Sequence, residues 1–550
     1  MFSRLRSSHL FIIPLTVIVL WPLVMLASRA FADGGAGFRD MLALPNIGQT
    51  VAHTIGLAMG SVIIAVLIGS GLAWCVSNSP QRTRSWIGLL PLLPLIVPAV
   101  AGVTGWIFLL EPRTGYLNQL LRQLPWWNHL LQGPLDIYTM PWIIILTGFT
   151  LSGFVYLYVR SSMQTLGTEL EAAARVHGAS PLRTFFTVTL PLMRAAIVYS
   201  AGVAFLLGIG QFTAPLLLGR TRGINVLTTE MYYATIAFPV KYGLGAALGA
   251  PLIIAGIVVV VLQFLAIGEQ SRYVVVTGQS RHAEARGYWF CPLPIAAFFL
   301  LAGVLPLSAL VLVALSPYWS GTIRWSTLGF ENFAKVLSEP NALRALRTSA
   351  IAIGVALLIV VPLGFFAAAL MTGAFRAGPL VRRLVDFLIT LPLGMPAAIF
   401  GFAVLYTYAG PPLVLYGTIT IIIIAYVTLM IPHAVRPQLT TMMSIGKEYA
   451  EASRVHGGGW WRTLGVIQIP LARNGVAVAS ALVIVMLFHE FAASMMVRAA
   501  HTQVMGTLLY EYYTGGLYPD VAVVALLMVV VTAACVFAAL LVGGTKALES

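Results

Sequence analysis

The chain has 550 residues, of which 59% are hydrophobic and 9% charged, with a formal net charge of +14. Its mean hydropathy is +0.90. This excludes a soluble globular domain of that size, and basic loops facing anionic lipid account for the charge without a nucleic-acid ligand. A membrane helix needs about 20 apolar residues. Twelve stretches qualify: 9–27, 53–76, 87–110, 141–160, 195–217, 244–268, 289–315, 347–372, 385–408, 414–435, 474–497 and 520–543. They are continuous apolar runs rather than the alternating segments of about ten residues that build a membrane barrel. The expected fold is an all-α polytopic membrane protein. Arg4 and Arg6 before the first run, and Ala30-Phe31-Ala32 after it, imitate a cleaved secretory signal. The run is long enough to span, and its counterpart near 289–315 cannot be a signal, so an uncleaved first membrane helix is expected.

With twelve spans, the positive-inside rule sets the orientation. Placing both termini in the cytoplasm puts most of the Lys and Arg residues inside, among them Arg82, Arg84, Arg160, Arg183, Arg382, Arg383 and Arg436. The polar stretch 269–287 reads as a cytoplasmic linker between two halves, 1–268 and 288–550, of six helices each. Leu-Pro-Leu-Ile-Val-Pro ending at Pro98 matches Leu-Pro-Leu-Gly-Met-Pro ending at Pro396, an offset of 396 − 98 = 298. Halves with an even number of spans run parallel, and parallel repeats put a substrate path at their interface. Cys75, Cys291 and Cys535 lie far apart with no metal or disulfide spacing, and read as buried thiols.

A polar loop occurs twice, within 165–194 and 444–473. Glu169 to Pro191 reads ELEAAARVHGASPLRTFFTVTLP, and Glu448 to Pro470 reads EYAEASRVHGGGWWRTLGVIQIP. The offset is constant at 457 − 178 = 470 − 191 = 279, which also pairs Gln211 with Glu490. The run from Glu169 to His177 is a helix former that Gly178 can stop in a left-handed conformation. Ser180-Pro181 can then start another helix, and in the second copy Gly457-Gly458-Gly459 does the turning. A passive connector has no reason to hold Gly and Pro at one fixed spacing in both copies.

This pattern of Glu-Ala-Ala, three residues, Gly, nine residues, Ile, one residue, Leu-Pro resembles the signature loop of bacterial ABC importer permeases of the binding-protein-dependent type, two of which would be fused here. The second copy matches through Glu451, Ala452, Gly457, Ile467 and Pro470, with Ser453 for the third motif residue and Ile469 for Leu. The first matches through Ala173, Ala174, Gly178, Leu190 and Pro191, but Ala172 holds the Glu position, Val188 the Ile position, and Glu171 sits one residue early. The resemblance implies coupling helices that fit grooves on two ATPase subunits, and a periplasmic or lipid-anchored solute-binding protein as a further partner. It also implies an inner-membrane location. Glu169, Glu171, Glu448 and Glu451 are the charged candidates for the ATPase contact. No P-loop occurs, since Gly543-Gly544-Thr545-Lys546 lacks the spacing. ATP is then expected on the partner, with no cofactor, metal or catalytic residue in this chain. An ion-coupled secondary transporter of two six-helix halves is the alternative, and it has no partner for the duplicated loop.

Inside the spans, Glu490 is costly near a helix centre and should face protein or water. With Gln211 it is expected either to line the pore or to make an interhelical bond. In the outer loops, Trp126, Trp127, Tyr232, Tyr233, Tyr510, Tyr512 and Tyr513 read mainly as membrane-interface anchors, and the matching stretches after Gly219 and Arg498 as a docking surface for the binding protein. Fused permeases carrying Gly-Gln-Phe-Thr-Ala-Pro at Gly210–Pro215 resemble ferric-iron importers most, with thiamine, polyamine and phosphonate importers next.

Overall fold

The computed structural model describes residues 6–165, 173–174, 176–267, 287–372, 378–445 and 447–543, and among these it is helical with no strand. The described chain divides into two compact units. One, built mainly on the first repeat, contains Pro45–Thr229 and Pro251–Gly329; the other contains the segments up to Leu44, Glu230–Ala250 and from Phe330 onward. Among the described residues, eight helices are apolar and long enough to cross a membrane, and four helix pairs bent by more than 40° bring the number to twelve if each counts as one span.

In chain order the main helices of the first half are α1 (Arg6–Leu42), α2 (Ile47–Ser77), α3 (Ala99–Leu110), α4 (Met140–Thr165), α5 (Arg194–Ile209) and α6 (Tyr242–Ile267). The second half supplies α7 (Pro292–Leu315), α8 (Pro340–Met371), α9 (Pro379–Thr390), α10 (Ala397–Tyr408), α11 (Ile419–Ser444), α12 (Arg473–His489), α13 (Ala492–Val497), α14 (Met505–Thr514) and α15 (Tyr518–Gly543). α4 and α11 are both 26 residues long, and their bounds differ by 419 − 140 = 444 − 165 = 279. Their buried faces coincide at that offset: Ile143, Thr147, Val155 and Met163 in α4, and Ile422, Tyr426, Ala434 and Met442 in α11.

The spans expected at 87–110 and 385–408 are not straight. The chain turns by 102° before α3 and by 108° between α9 and α10. The turns fall at Pro98 and Pro396, each of which holds the residue before it, Val97 or Met395, in an extended conformation. Ahead of the turn the halves differ. α9 runs unbroken for 12 residues, whereas the first half has a helix at Gln81–Ile87 and then short pieces at Leu90–Leu92 and Leu93–Ile96. The cause is Pro91, which stands where the second half has Ile389 and cannot donate to the helical ladder. The lead-in is clamped in each case. In the first half the Gly88 carbonyl accepts from Tyr156 Oη at 2.6 Å and from the Arg160 guanidinium at 2.8 Å. In the second, Asp386, 298 residues on, takes a charge-assisted bond from Arg436 at 3.1 Å.

The compact units do not follow the sequence halves. The start of α7, in the second half of the chain, supplies Ile295 and Phe298 to a core with Trp74, Tyr156 and Val159. Farther along, α7 lies against α3 so closely that a Cβ on Gly105 would meet the Pro306 carbonyl oxygen at 2.5 Å. In the other unit, Leu15 and Val19 of α1 are fully buried in the core that holds Phe400 and Val404 of α10, and the Thr428 hydroxyl donates to the Ile18 carbonyl at 3.3 Å. α1 thus contributes to the core of that unit.

Gly105→Ala is expected to cost about 1–3 kcal/mol by forcing two backbones apart. Thermal unfolding of the purified chain in detergent should show a lowered midpoint, while Gly71→Ala, where a Cβ meets nothing within 4 Å, should leave it unchanged. Equal midpoints for the two variants would contradict this packing.

Candidate functional site

The two repeated loops share one backbone path. In the second copy a helix at Lys447–Val455 carries Glu448, Glu451 and Ala452. In the first copy Glu169 and Glu171 lie outside the described residues, while Ala173 and Ala174 are helical. Both helices end on a left-handed glycine, Gly178 at φ +80° and Gly457 at φ +72°. Past the glycine, the Ala179 N–H returns to the Ala174 carbonyl at 3.0 Å and the Gly458 N–H to the Ser453 carbonyl at 2.8 Å. This six-to-one closure satisfies carbonyls that the helix end leaves open. A short helix follows at Pro181–Thr184 or Trp460–Thr463, then a single wide π turn at Phe185–Thr189 or Leu464–Gln468. The π turn is set by Pro191 and Pro470. Each deprives the ladder of an N–H, and the residue before it bonds five residues back, Leu190 to Phe185 and Ile469 to Leu464. The chain then bends by 66° into α5 and by 63° into α12.

Gly178, Pro191, Glu451, Ala452, Gly457 and Pro470 are all exposed. So are two residues the motif itself does not mark, Val176 at 85% and Val455 at 83%. The same bared valine thus recurs on both turns. The duplicated Arg-Val-His-Gly contains the signal, although nothing in its spacing distinguishes a bared valine from a packed one. Behind this surface the copies differ. The Ser453 and Thr463 hydroxyls bond at 2.7 Å, whereas Ala174 stands in the place of Ser453 and leaves the buried Thr184 hydroxyl without a partner.

Gln211 and Glu490 sit at matching breaks that follow α5 and α12. Glu490 precedes α13 and caps it: its carboxylate accepts from the Ala493 N–H at 2.7 Å, the Ser494 N–H at 2.9 Å and the Ser494 hydroxyl at 2.7 Å. An anion at free helical N–H groups is stabilised by them and by the helix dipole. Gln211 lines a cavity of ≈ 40 Å³ with Thr147, Thr150, Thr213 and Trp106. Its side-chain oxygen accepts from the Phe212 N–H at 3.2 Å.

Of the aromatics expected in outer loops, Trp126 is exposed, but Tyr232, Tyr510 and Tyr512 are buried. Tyr232 and Tyr510 pack edge to face at 6.5 Å. Tyr512 donates to Glu339 at 2.6 Å. Burial, and then the bond to Glu339, push its phenol up from the ordinary value. Lys335 pairs with Asp520, in the first turn of α15, at 2.6 Å. These tyrosines are packing residues of their unit, which hydropathy of the outer loops could not show. Among the described residues, no group of three or more His, Cys, Asp and Glu side chains is placed to hold a metal ion.

Tandem sets of apolar helices, each with a helix–glycine–π-turn loop entering its fifth span, define a two-repeat membrane permease. The chain belongs to the family of binding-protein-dependent transport system inner membrane components, whose profile matches residues 65–270 and 360–544. It is similar to the ferric transport system permease protein FbpB of Actinobacillus pleuropneumoniae, 23% identical over 96% of this chain and 77% of that one. It is also similar to the sulfate transport system permease protein CysW of Synechococcus elongatus, 27% identical over 46% of this chain and 87% of that one. A crystal structure of a bacterial ABC transporter that imports alginate aligns at a TM-score of 0.38 with 19% identity, over 45% of this chain and 91% of that one.

Ala174→Ser should give the Thr184 hydroxyl the partner that Thr463 already has. A gain of about 0.5–1.5 kcal/mol is expected, read as a raised unfolding midpoint in detergent. A midpoint at or below that of the parent would show that the first loop does not share the second loop's packing.

Proposed function

We propose that this chain forms the translocation path of an ATP-driven importer, with two ATPase subunits docked on its two repeated loops. The observation that carries the reading is the duplicated loop backbone, which presents Val176 and Val455 with the same exposure on the same left-handed turn. A loop that enters a membrane helix through a fixed bend can carry motion of its partner into the bilayer, where a two-state bundle would respond. An ion-coupled carrier would have no use for such a pair. ATP is bound and hydrolysed on the partner, and this chain needs no cofactor. The loops, the linker 269–287 and both termini then face the cytoplasm of a bacterium, in keeping with the positive-inside bias. The opposite face receives solute from a binding protein. The similarity to a ferric transport permease along nearly the whole chain supports ferric iron, or a related small solute, as cargo.

The turn glycines test this directly. A Cβ at Gly178 or Gly457 meets nothing within 4 Å, so substitution there strains only the backbone. Placing valine in the left-handed conformation costs roughly 1–2 kcal/mol per site. The double variant Gly178→Val, Gly457→Val is expected to insert and assemble normally, yet to lose roughly tenfold or more of ATP-driven uptake in proteoliposomes, with ATP hydrolysis retained. Unchanged uptake would contradict the coupling role.

A further inference from the structure

The corresponding helices of the two repeats enclose different space. In the first, the cavity beside Gln211 is lined by Thr147, Thr150, Thr213, Gly102 and Trp106. Thr147 is 2% exposed, and its hydroxyl has no partner. Gln211 bonds through its oxygen, which leaves its amide N–H groups available. In the second repeat the residue 279 positions beyond Thr147 is Tyr426, and the residue 298 positions beyond Gly102 is Phe400. Both rings are fully buried. Tyr426 Oη meets Ser494 Oγ at 3.0 Å, and Ser494 in turn donates to Glu490 at 2.7 Å. At the equivalent positions the second repeat therefore places aromatic rings, and the Tyr426 hydroxyl is paired within the protein. The first has a cavity there, and the buried Thr147 hydroxyl on its wall has no partner within the protein.

Buried polar atoms are ordinarily paired, so an orphan hydroxyl on a cavity wall marks the place of an absent partner. A water needs about 10–15 Å³ of such volume, so the cavity takes a group of a few atoms. No lining residue is charged. A bare metal cation would have to shed its hydration with no carboxylate to replace it. Hydroxyl and amide donors suit oxygen acceptors, and their bonds strengthen when those oxygens are anionic. We propose that the Thr147 cavity is a solute station for a small oxyanion group, free or carried as the oxygen ligand of a metal ion, and that the second repeat lacks this station because Tyr426 and Phe400 occupy it. The inference rests on the reading of the chain as a solute path.

Equilibrium dialysis of the full-length chain in detergent, without ATPase, tests it with two probes: radiolabelled sulfate, and radiolabelled iron presented as ferric citrate. The parent chain should retain one of them. Thr147→Val, which removes only the hydroxyl, should weaken retention about tenfold. Thr147→Tyr, which installs the second repeat's solution, should abolish it, while Tyr426→Phe should leave it intact. Retention of sulfate identifies a free oxyanion; retention of iron that unlabelled citrate displaces identifies an oxygen ligand on a metal. Retention of neither probe, equal retention by the parent and both Thr147 variants, or a loss in Tyr426→Phe as large as in Thr147→Val would overturn the proposal. Uptake in proteoliposomes is scored separately. A chain that transports but lacks Thr147-dependent binding refutes the station alone, and one that binds but does not transport refutes the importer reading alone.

Discussion

Hydrocarbon offers no hydrogen-bond partner, so each interruption of a helix at membrane depth must supply its own. That constraint shapes this protein wherever proline or a break falls. After α5, the Gln211 carbonyl is taken by the Thr228 hydroxyl at 2.6 Å. After α12, Glu490 gives its carboxylate to the free N–H groups of α13. Where Pro191 and Pro470 remove a donor, the preceding turn widens by one residue rather than open. At these breaks the chain changes direction while its freed backbone groups stay paired.

Duplication lets each device be compared with its twin. The backbone is held nearly constant where α4 and α11 share their bounds and at the bends, which differ by a few degrees. The side chains are not. A Gly88 carbonyl held by Tyr156 and Arg160 in one half becomes an Asp386–Arg436 ion pair in the other. A Ser453–Thr463 bond in one loop is missing from the other, and a polar cavity in one repeat is a packed tyrosine in the other.

The helical class and the loop positions were legible in the sequence, because apolar run length and the fixed spacing of Gly178 to Pro191 are local properties. The bends at Pro98 and Pro396 were not, since hydropathy measures how long a segment is and not where it points. Neither was the packing of α1 and α7 away from their own sequence halves, which depends on contacts such as Gly105 with Pro306 that join residues far apart in the chain. Glu490 was conspicuous as a charge in an apolar run, but its cap on α13 required knowing that the helix stops at His489. The outer tyrosines misled for a similar reason: Tyr510 and Tyr512 look like interface anchors until their burial is seen.

The central claim is that each repeated loop is a foot on which a separate ATPase subunit stands. Val176→Cys and Val455→Cys, each in the assembled transporter, address it with a short thiol crosslinker. The account predicts that each cysteine joins the chain to one ATPase subunit, and that neither is reached by an impermeant thiol reagent added outside the cell. Failure of both to crosslink, with labelling from outside, would contradict it.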